Sequence, residues 1–230
     1  IMQAGHYSWP FSFILGHGSP GSFEYKRQEF SGVVEYSLKA EMSIPDLLVP
    51  NERFKHVLTV KPNFVPHPSS FSINMAQAEE VVEFLCCVAK GTVKITANTP
   101  KILYSPGETI DICIHTDATQ SQLDINRVSA QLSRTVELSA EGHRSARRDI
   151  IQSKQSSGGL RRGSEESFNI SLLIPEDAQS TFFSETINCH FNVVVCLEIP
   201  WSADIKMRFP ITVNYYRPPT YNEIVKADGL

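Results

Sequence analysis

Near the start of the chain, Gly16-His17-Gly18-Ser19-Pro20-Gly21 has the G-x-G-x-x-G spacing of a dinucleotide-binding loop. That chemistry needs a helix starting at the glycines, so that its free N–H groups face a pyrophosphate. Pro20 removes one such N–H, and Val33 to Ala40 alternates as a strand does, so no βαβ unit follows. The pattern reads as a glycine-rich loop between strands, and no cofactor is expected. The five cysteines, Cys86, Cys87, Cys113, Cys189 and Cys196, contain no C-x-x-C pair and read as reduced thiols, several of them buried in strands. Cys189 and His190 are neighbours on an expected strand, point to opposite faces and cannot easily share a metal, so none is expected. Ser19 and Ser22 lack the G-x-S-x-G elbow, and the seven histidines are scattered, so no hydrolase constellation is visible.

Two other clusters suit binding better than catalysis. Arg144, Arg147, Arg148, Lys154, Arg161 and Arg162 make the stretch from Glu141 to Glu166 locally basic, against Asp149, Glu165 and Glu166. Few apolar residues interrupt it, so it reads as a long mobile loop. Its arginines could meet anionic lipid headgroups or phosphorylated tails, and a solvated loop is the plainer reading. Arg161-Arg162-Gly163-Ser164 also fits a basophilic kinase site, a pattern common by chance. Pro218-Pro219-Thr220-Tyr221 directly follows the last expected strand. Two prolines bias the chain to polyproline II, and the aromatic groove of a WW domain accepts such a helix with the tyrosine as a second anchor. The plainer alternative is a proline-rich stop for the strand.

The elements that must carry these clusters are strands. Period-two alternation recurs through Phe11/Phe13/Leu15, Val34/Tyr36/Leu38/Ala40, Val93/Ile95, Ile110/Ile112/Ile114, Val128/Ala130/Leu132 and Phe168/Ile170/Leu172/Ile174. The longest rows are Cys189 to Leu197 and Ile205 to Val213. The one helical stripe is Met75 to Val88, although Val81-Val82 and Phe84 to Val88 also suit a strand. Ser105-Pro106-Gly107-Glu108 has the chemistry of a type II turn. Many short strands with almost no helix indicate β-sandwiches. Three prolines between Lys61 and Ser70 suggest an extended linker between two of them. The chain has 230 residues, enough for one large domain or two small ones, and 41% of them are hydrophobic, which supports a core. Its net charge of −4 disfavours a general nucleic-acid coat. No run approaches the roughly 18 apolar residues of a spanning helix, and no secretory leader is visible.

In order along the chain, several segments resemble an α-arrestin, an arrestin-domain-containing protein. Tyr7-Ser8-Trp9-Pro10-Phe11-Ser12-Phe13, Ser22-Phe23-Glu24 and Gly32 to Ala40 are similar to the later part of an arrestin N-domain. Tyr104 to Glu108 with its following strand resembles the opening of a C-domain. Leu173-Ile174-Pro175, the Cys189 row and Arg208 to Val213 resemble its end, and the tail resembles the family's P-P-x-Y element. Gly16 stands where the family often has proline, only one P-P-x-Y is present, and no counterpart of the phosphate-sensing polar core is visible, which favours the α branch.

The resemblance implies an all-β chain of two arrestin-like immunoglobulin-type sandwiches, the first incomplete because the chain starts, at Ile1 instead of Met, partway through it. Residues 1–60 would be the later N-domain, 61–88 a linker, 89–214 the C-domain and 215–230 the tail. It further implies an adaptor without enzymatic activity, cytoplasmic and peripheral to plasma membrane and endosomes. Pro218, Pro219 and Tyr221 would recruit a WW-containing HECT-type ubiquitin ligase to membrane receptor or transporter cargo for ubiquitination, endocytosis and sorting. Arg144, Arg147, Arg148, Arg161 and Arg162 could touch an anionic membrane, and nucleic acid is not an expected partner. A trafficking scaffold without ligase recruitment is the alternative.

Overall fold

The computed structural model describes residues 5–16, 19–42, 52–62, 66–85 and 88–216. Its strands are β1 (Phe23–Arg27), β2 (Phe30–Val34), β3 (Tyr36–Met42), β4 (Glu52–Leu58), β5 (Asn74–Phe84), β6 (Val88–Thr99) and β7 (Leu103–Tyr104). There follow β8 (Thr109–Asp117), β9 (Arg127–Ala140), β10 (His143–Gln155), β11 (Glu165–Leu173), β12 (Ile187–Glu198) and β13 (Ile205–Val213). A single 3-10 turn occupies Pro68–Phe71, and among the described residues there is no α-helix.

One sandwich is built from two sheets, β10-β9-β12-β13-β7 and β11-β8-β6-β5. Its strands are antiparallel except for the short parallel pair β13–β7. Period-two alternation decides which residues meet between the sheets. Val128, Ala130 and Leu132 of β9, Phe191, Val193 and Val195 of β12, and Met207, Phe209 and Ile211 of β13 are buried against Val93, Ile95, Ile110, Ile112, Ile114 and Ile170. Burying such a side chain is worth about 1.5–3 kcal/mol, so these rows dominate the favourable side of folding. The expected turn at Ser105–Glu108 is present: Gly107 has φ +86° and the Glu108 N–H donates to the Ser105 carbonyl at 3.1 Å.

The remaining strands form two separate hairpins, β1–β2 and β3–β4. The first docks on the sandwich, because Phe23, Tyr25 and Phe30 join its core. Phe23 meets Phe182 edge-on at 5.0 Å. Gly32 lies so close to Leu138 that a Cβ there would sit 2.7 Å from its Cδ2. The second hairpin is open. Register places Tyr36, Leu38, Ala40 and Met42 on one face with Leu58, His56, Phe54 and Glu52, yet Phe54 is 65% exposed.

Three sequence expectations change. The helix at Met75–Val88 is instead strand β5, paired with β6; small Ala76 and Ala78 face inward there and imitate a helical stripe. The long loop at Glu141–Glu166 is instead largely β10, paired with β9 from His143 to Gln155. A strand edge can be polar because only one of its sides needs a partner. The row Phe11/Phe13/Leu15 forms no strand. Alternation alone makes no sheet, and among the described residues no strand pairs with it; the Phe11 and Phe13 rings stack on each other at 6.4 Å.

Candidate functional site

Pro218, Pro219 and Tyr221 lie outside the described residues, which end at Tyr216. Strand β13 ends at Val213, and Asn214 donates its N–H to the Tyr104 carbonyl at 2.9 Å. Lys61 Nζ sits 4.5 Å from the centre of the Tyr215 ring, and Phe71 meets the Tyr216 ring edge-on at 5.8 Å. Tyr215 and Tyr216 are thus held by Lys61 and Phe71.

Register shows that the five arginines form no single cluster. Arg144 faces Ser139 and Arg147 faces Val136, at the hairpin tip of β9–β10. Arg148 faces Thr135 on the opposite side of the sheet from Arg147. Arg161 and Arg162 follow Leu160, which bridges to Ile125, and the Arg162 N–H donates to Asp124 Oδ1 at 2.8 Å. They therefore lie beyond the other end of β9, about 40 Å away at roughly 3.3 Å per residue. In place of a loop, the structure offers a groove of about 910 Å³ between the tips of β1–β2 and β9–β10. Lys26, Arg27, His143, Arg144 and Arg147 line it, with Glu29. Lys26 and Arg27 could not be foreseen here, since more than a hundred residues separate them from Arg144.

Beneath this groove a charged cluster pins β1–β2 to the sandwich. Arg134 Nη2 donates to Asp149 Oδ2 at 2.9 Å, and Nη1 to Gln179 Oε1 at 3.2 Å. The Tyr25 hydroxyl donates to Asp149 Oδ1 at 3.2 Å, and the Arg134 guanidinium lies 5.2 Å from the centre of the Tyr25 ring. Burial pushes the Asp149 carboxyl up, but hydrogen bonds from Arg134 and Tyr25 and the charges of Arg134 and Arg27 outweigh it, and the carboxyl is held below its ordinary value. Burial first, then the neighbouring Asp149, pushes the Tyr25 hydroxyl above its ordinary value. The cluster ties the first hairpin to the sandwich, and Gln179 Nε2 adds a bond to the Glu24 carbonyl at 2.6 Å.

The thiols follow their faces. Cys189 is buried and desolvation pushes it up to about 12, while His190 stacks on Phe183 from the other face of β12. Cys196 is buried and raised in the same direction by the same cause, and Cys113 is half-buried. Among the described residues no group of three His, Cys, Asp or Glu side chains could hold a metal. Gly16 to Gly21, where described, runs directly into β1, and the Ser19 N–H donates to the Gly16 carbonyl at 3.2 Å.

Residues 89–219 match the family described as arrestin (or S-antigen), C-terminal domain. Residues 1–65 match arrestin (or S-antigen), N-terminal domain. Among solved structures, the sporulation control protein Spo0M from Bacillus subtilis is similar at 20% identity and a TM-score of 0.44, over 54% of this chain. The match spans about half, 49%, of that chain's length.

Proposed function

This chain belongs to the arrestin family, and from that membership we propose that it is a trafficking adaptor whose Pro218-Pro219-Thr220-Tyr221 tail recruits a WW-domain HECT-type ubiquitin ligase to membrane cargo. The observation that carries the reading is the position of the motif. It begins two residues after Tyr216 and five after the end of β13 at Val213. Two prolines preset a polyproline II ridge at low entropic cost, and Tyr221 supplies an aromatic anchor with a hydroxyl. A receptor or transporter gripped by the sandwich surfaces would then be brought beside the ligase, for ubiquitination and endocytosis at plasma membrane and endosomes. Proximity supplies the effect, so the adaptor itself performs no chemistry.

The test is titration of a WW-domain panel against the chain and its Tyr221→Ala variant. Loss of the ring removes burial worth about 1.5–3 kcal/mol, so affinity is expected to fall at least roughly tenfold, with an unchanged melting temperature. Equal affinity of the two chains, or no WW binding by either, would leave a scaffold that works without the ligase.

A further inference from the structure

The chain has two Arg-Arg pairs, and only Arg161-Arg162 leads to a hydroxyl two residues on, in Gly163-Ser164; Arg147-Arg148 runs into Asp149-Ile150. Four residues recur by chance, so the weight falls on where the fold puts them. Leu160 and Phe168 are both buried and both belong to the sandwich core. The seven residues between them, Arg161 to Ser167, bury no side chain: Ser164 is half-buried and the other six are exposed. Ser164 is the middle of the seven. The second half, Glu165 to Ser167, opens β11, an edge strand paired with β8 alone. The bonds that hold the stretch down are polar and shallow. The Arg162 N–H donates to Asp124 Oδ1 at 2.8 Å, the Gly163 N–H to the Ala118 carbonyl at 2.9 Å, and the Ala118 N–H to the Ser164 carbonyl at 2.9 Å. Water replaces such bonds at little net cost when they open. Gly163, at φ +75° with open space around it, gives the backbone a pivot. The stretch can therefore peel away while both anchors stay in the core.

We infer that Ser164 is a phosphorylation site for a serine/threonine kinase that reads basic residues. Such a kinase takes its substrate as an extended segment, and carboxylates of its cleft pair with arginines upstream of the acceptor. Arg161 and Arg162 stand three and two residues before Ser164, both exposed, and the stretch that peels supplies three residues on each side of it. In the reaction the Ser164 oxygen attacks the γ-phosphorus of Mg-ATP. The bond from that phosphorus to the β,γ-bridging oxygen breaks, ADP leaves with that oxygen, and the hydroxyl proton passes to the kinase's catalytic carboxylate. The product does not close as the parent does. In the closed turn the Ser164 hydroxyl donates to the Arg161 carbonyl at 2.6 Å, and a phosphate ester has lost that proton. Glu165 faces Asp117 across the ladder, and Asp124 already holds the Arg162 N–H. A group of charge about −2 among these carboxylates opposes reclosure, and the two arginines answer only part of it. Phosphorylation thus holds the first rungs of β11 open. The inference does not rest on the tail motif.

The experiment uses the whole chain, Mg-ATP and the catalytic subunit of cAMP-dependent protein kinase, a kinase that reads an arginine pair at these positions. Peptide mass spectrometry locates the phosphate, which is expected on Ser164 of the folded chain and is lost in Ser164→Ala. Arg161→Ala with Arg162→Ala should lower kcat/KM for that site at least roughly tenfold. Both side chains are exposed, so the melting temperature should stay unchanged. Arg144→Ala with Arg148→Ala removes the same charge elsewhere and should leave the rate as it was. After modification, the amides of residues 165–167 should exchange at least about tenfold faster, and those of β12 as before. No phosphate on Ser164 of the folded chain, a rate that ignores the Arg161/Arg162 pair, an equal loss in the Arg144/Arg148 variant, or unchanged exchange at 165–167 overturns the inference.

Discussion

Tyr25, Arg134 and Asp149 decide how the first hairpin is held, and their protonation fixes the range over which it stays held. Asp149 has a depressed folded value, so its contribution is present above the unfolded value near 3.8 and is lost as pH falls through the folded one. Tyr25 has a raised folded value, so its contribution is present below 10.0 and is lost as pH rises through the folded one. Docking of β1–β2 should therefore be strongest between about pH 4 and pH 10, read as amide protection of Tyr25 and Phe30 across a pH series. Asp149→Asn keeps an acceptor but removes the charge. It should cost about 1–2 kcal/mol in denaturant titration and flatten the acid limb. Protection that ignores Asp149→Asn would show that the pair only decorates a hydrophobic contact. The cysteines give a second residue-scale expectation. A thiolate is the reacting species, and Cys189 is pushed up to about 12 while buried. In the native chain at pH 8, iodoacetamide should modify Cys113 well before Cys189 or Cys196, read by peptide mass spectrometry.

At the scale of elements, backbone geometry is least forgiving where β6 passes the loop after β8. Gly91 has φ +96°, and a Cβ there would sit 1.7 Å from the Gln120 carbonyl oxygen, a backbone atom with nowhere to go. The Gln122 N–H donates to the Lys90 carbonyl at 2.8 Å at the same place. Gly91→Ala should cost about 2–4 kcal/mol and lower the melting temperature by several degrees; a shift under one degree would show that the loop yields freely. The elements also show what the sequence could reveal. Rows such as Cys189/Phe191/Val193/Val195 and Ile205/Met207/Phe209 were legible because both mark the inner face of a buried strand. Strand β10 was not legible, since its inner positions include Arg147 and Asp149, and nothing in the local pattern says that Tyr25, Phe30 and Arg134 will cover them. Strand β5 misled for the opposite reason: alanines at alternate positions satisfy a sheet and a helix equally well.

Over the whole molecule, stability should be graded. The sandwich carries the long buried rows, the first hairpin shares its core through three aromatic side chains, and the second presents an exposed face. Hydrogen exchange should therefore be slowest in β9 and β12, intermediate in β1–β2 and fastest in β3–β4. Equally slow exchange in β3–β4 would mean that something covers Phe54 and Met42. The fold class was legible along the chain, whereas the basic groove was not, because it joins segments around Lys26–Arg27 and His143–Arg147 through tertiary docking alone. The exit of β13 has one more consequence. Tyr215 and Tyr216 are gripped by Lys61 and Phe71, and only Arg217 separates Tyr216 from Pro218. Two extended residues reach at most about 7 Å. Any domain that takes hold of Pro218 and Tyr221 is therefore moored against the wall of the sandwich instead of swinging on a long leash. Its bearing would then be set by Lys61 and Phe71, the residues that hold Tyr215 and Tyr216.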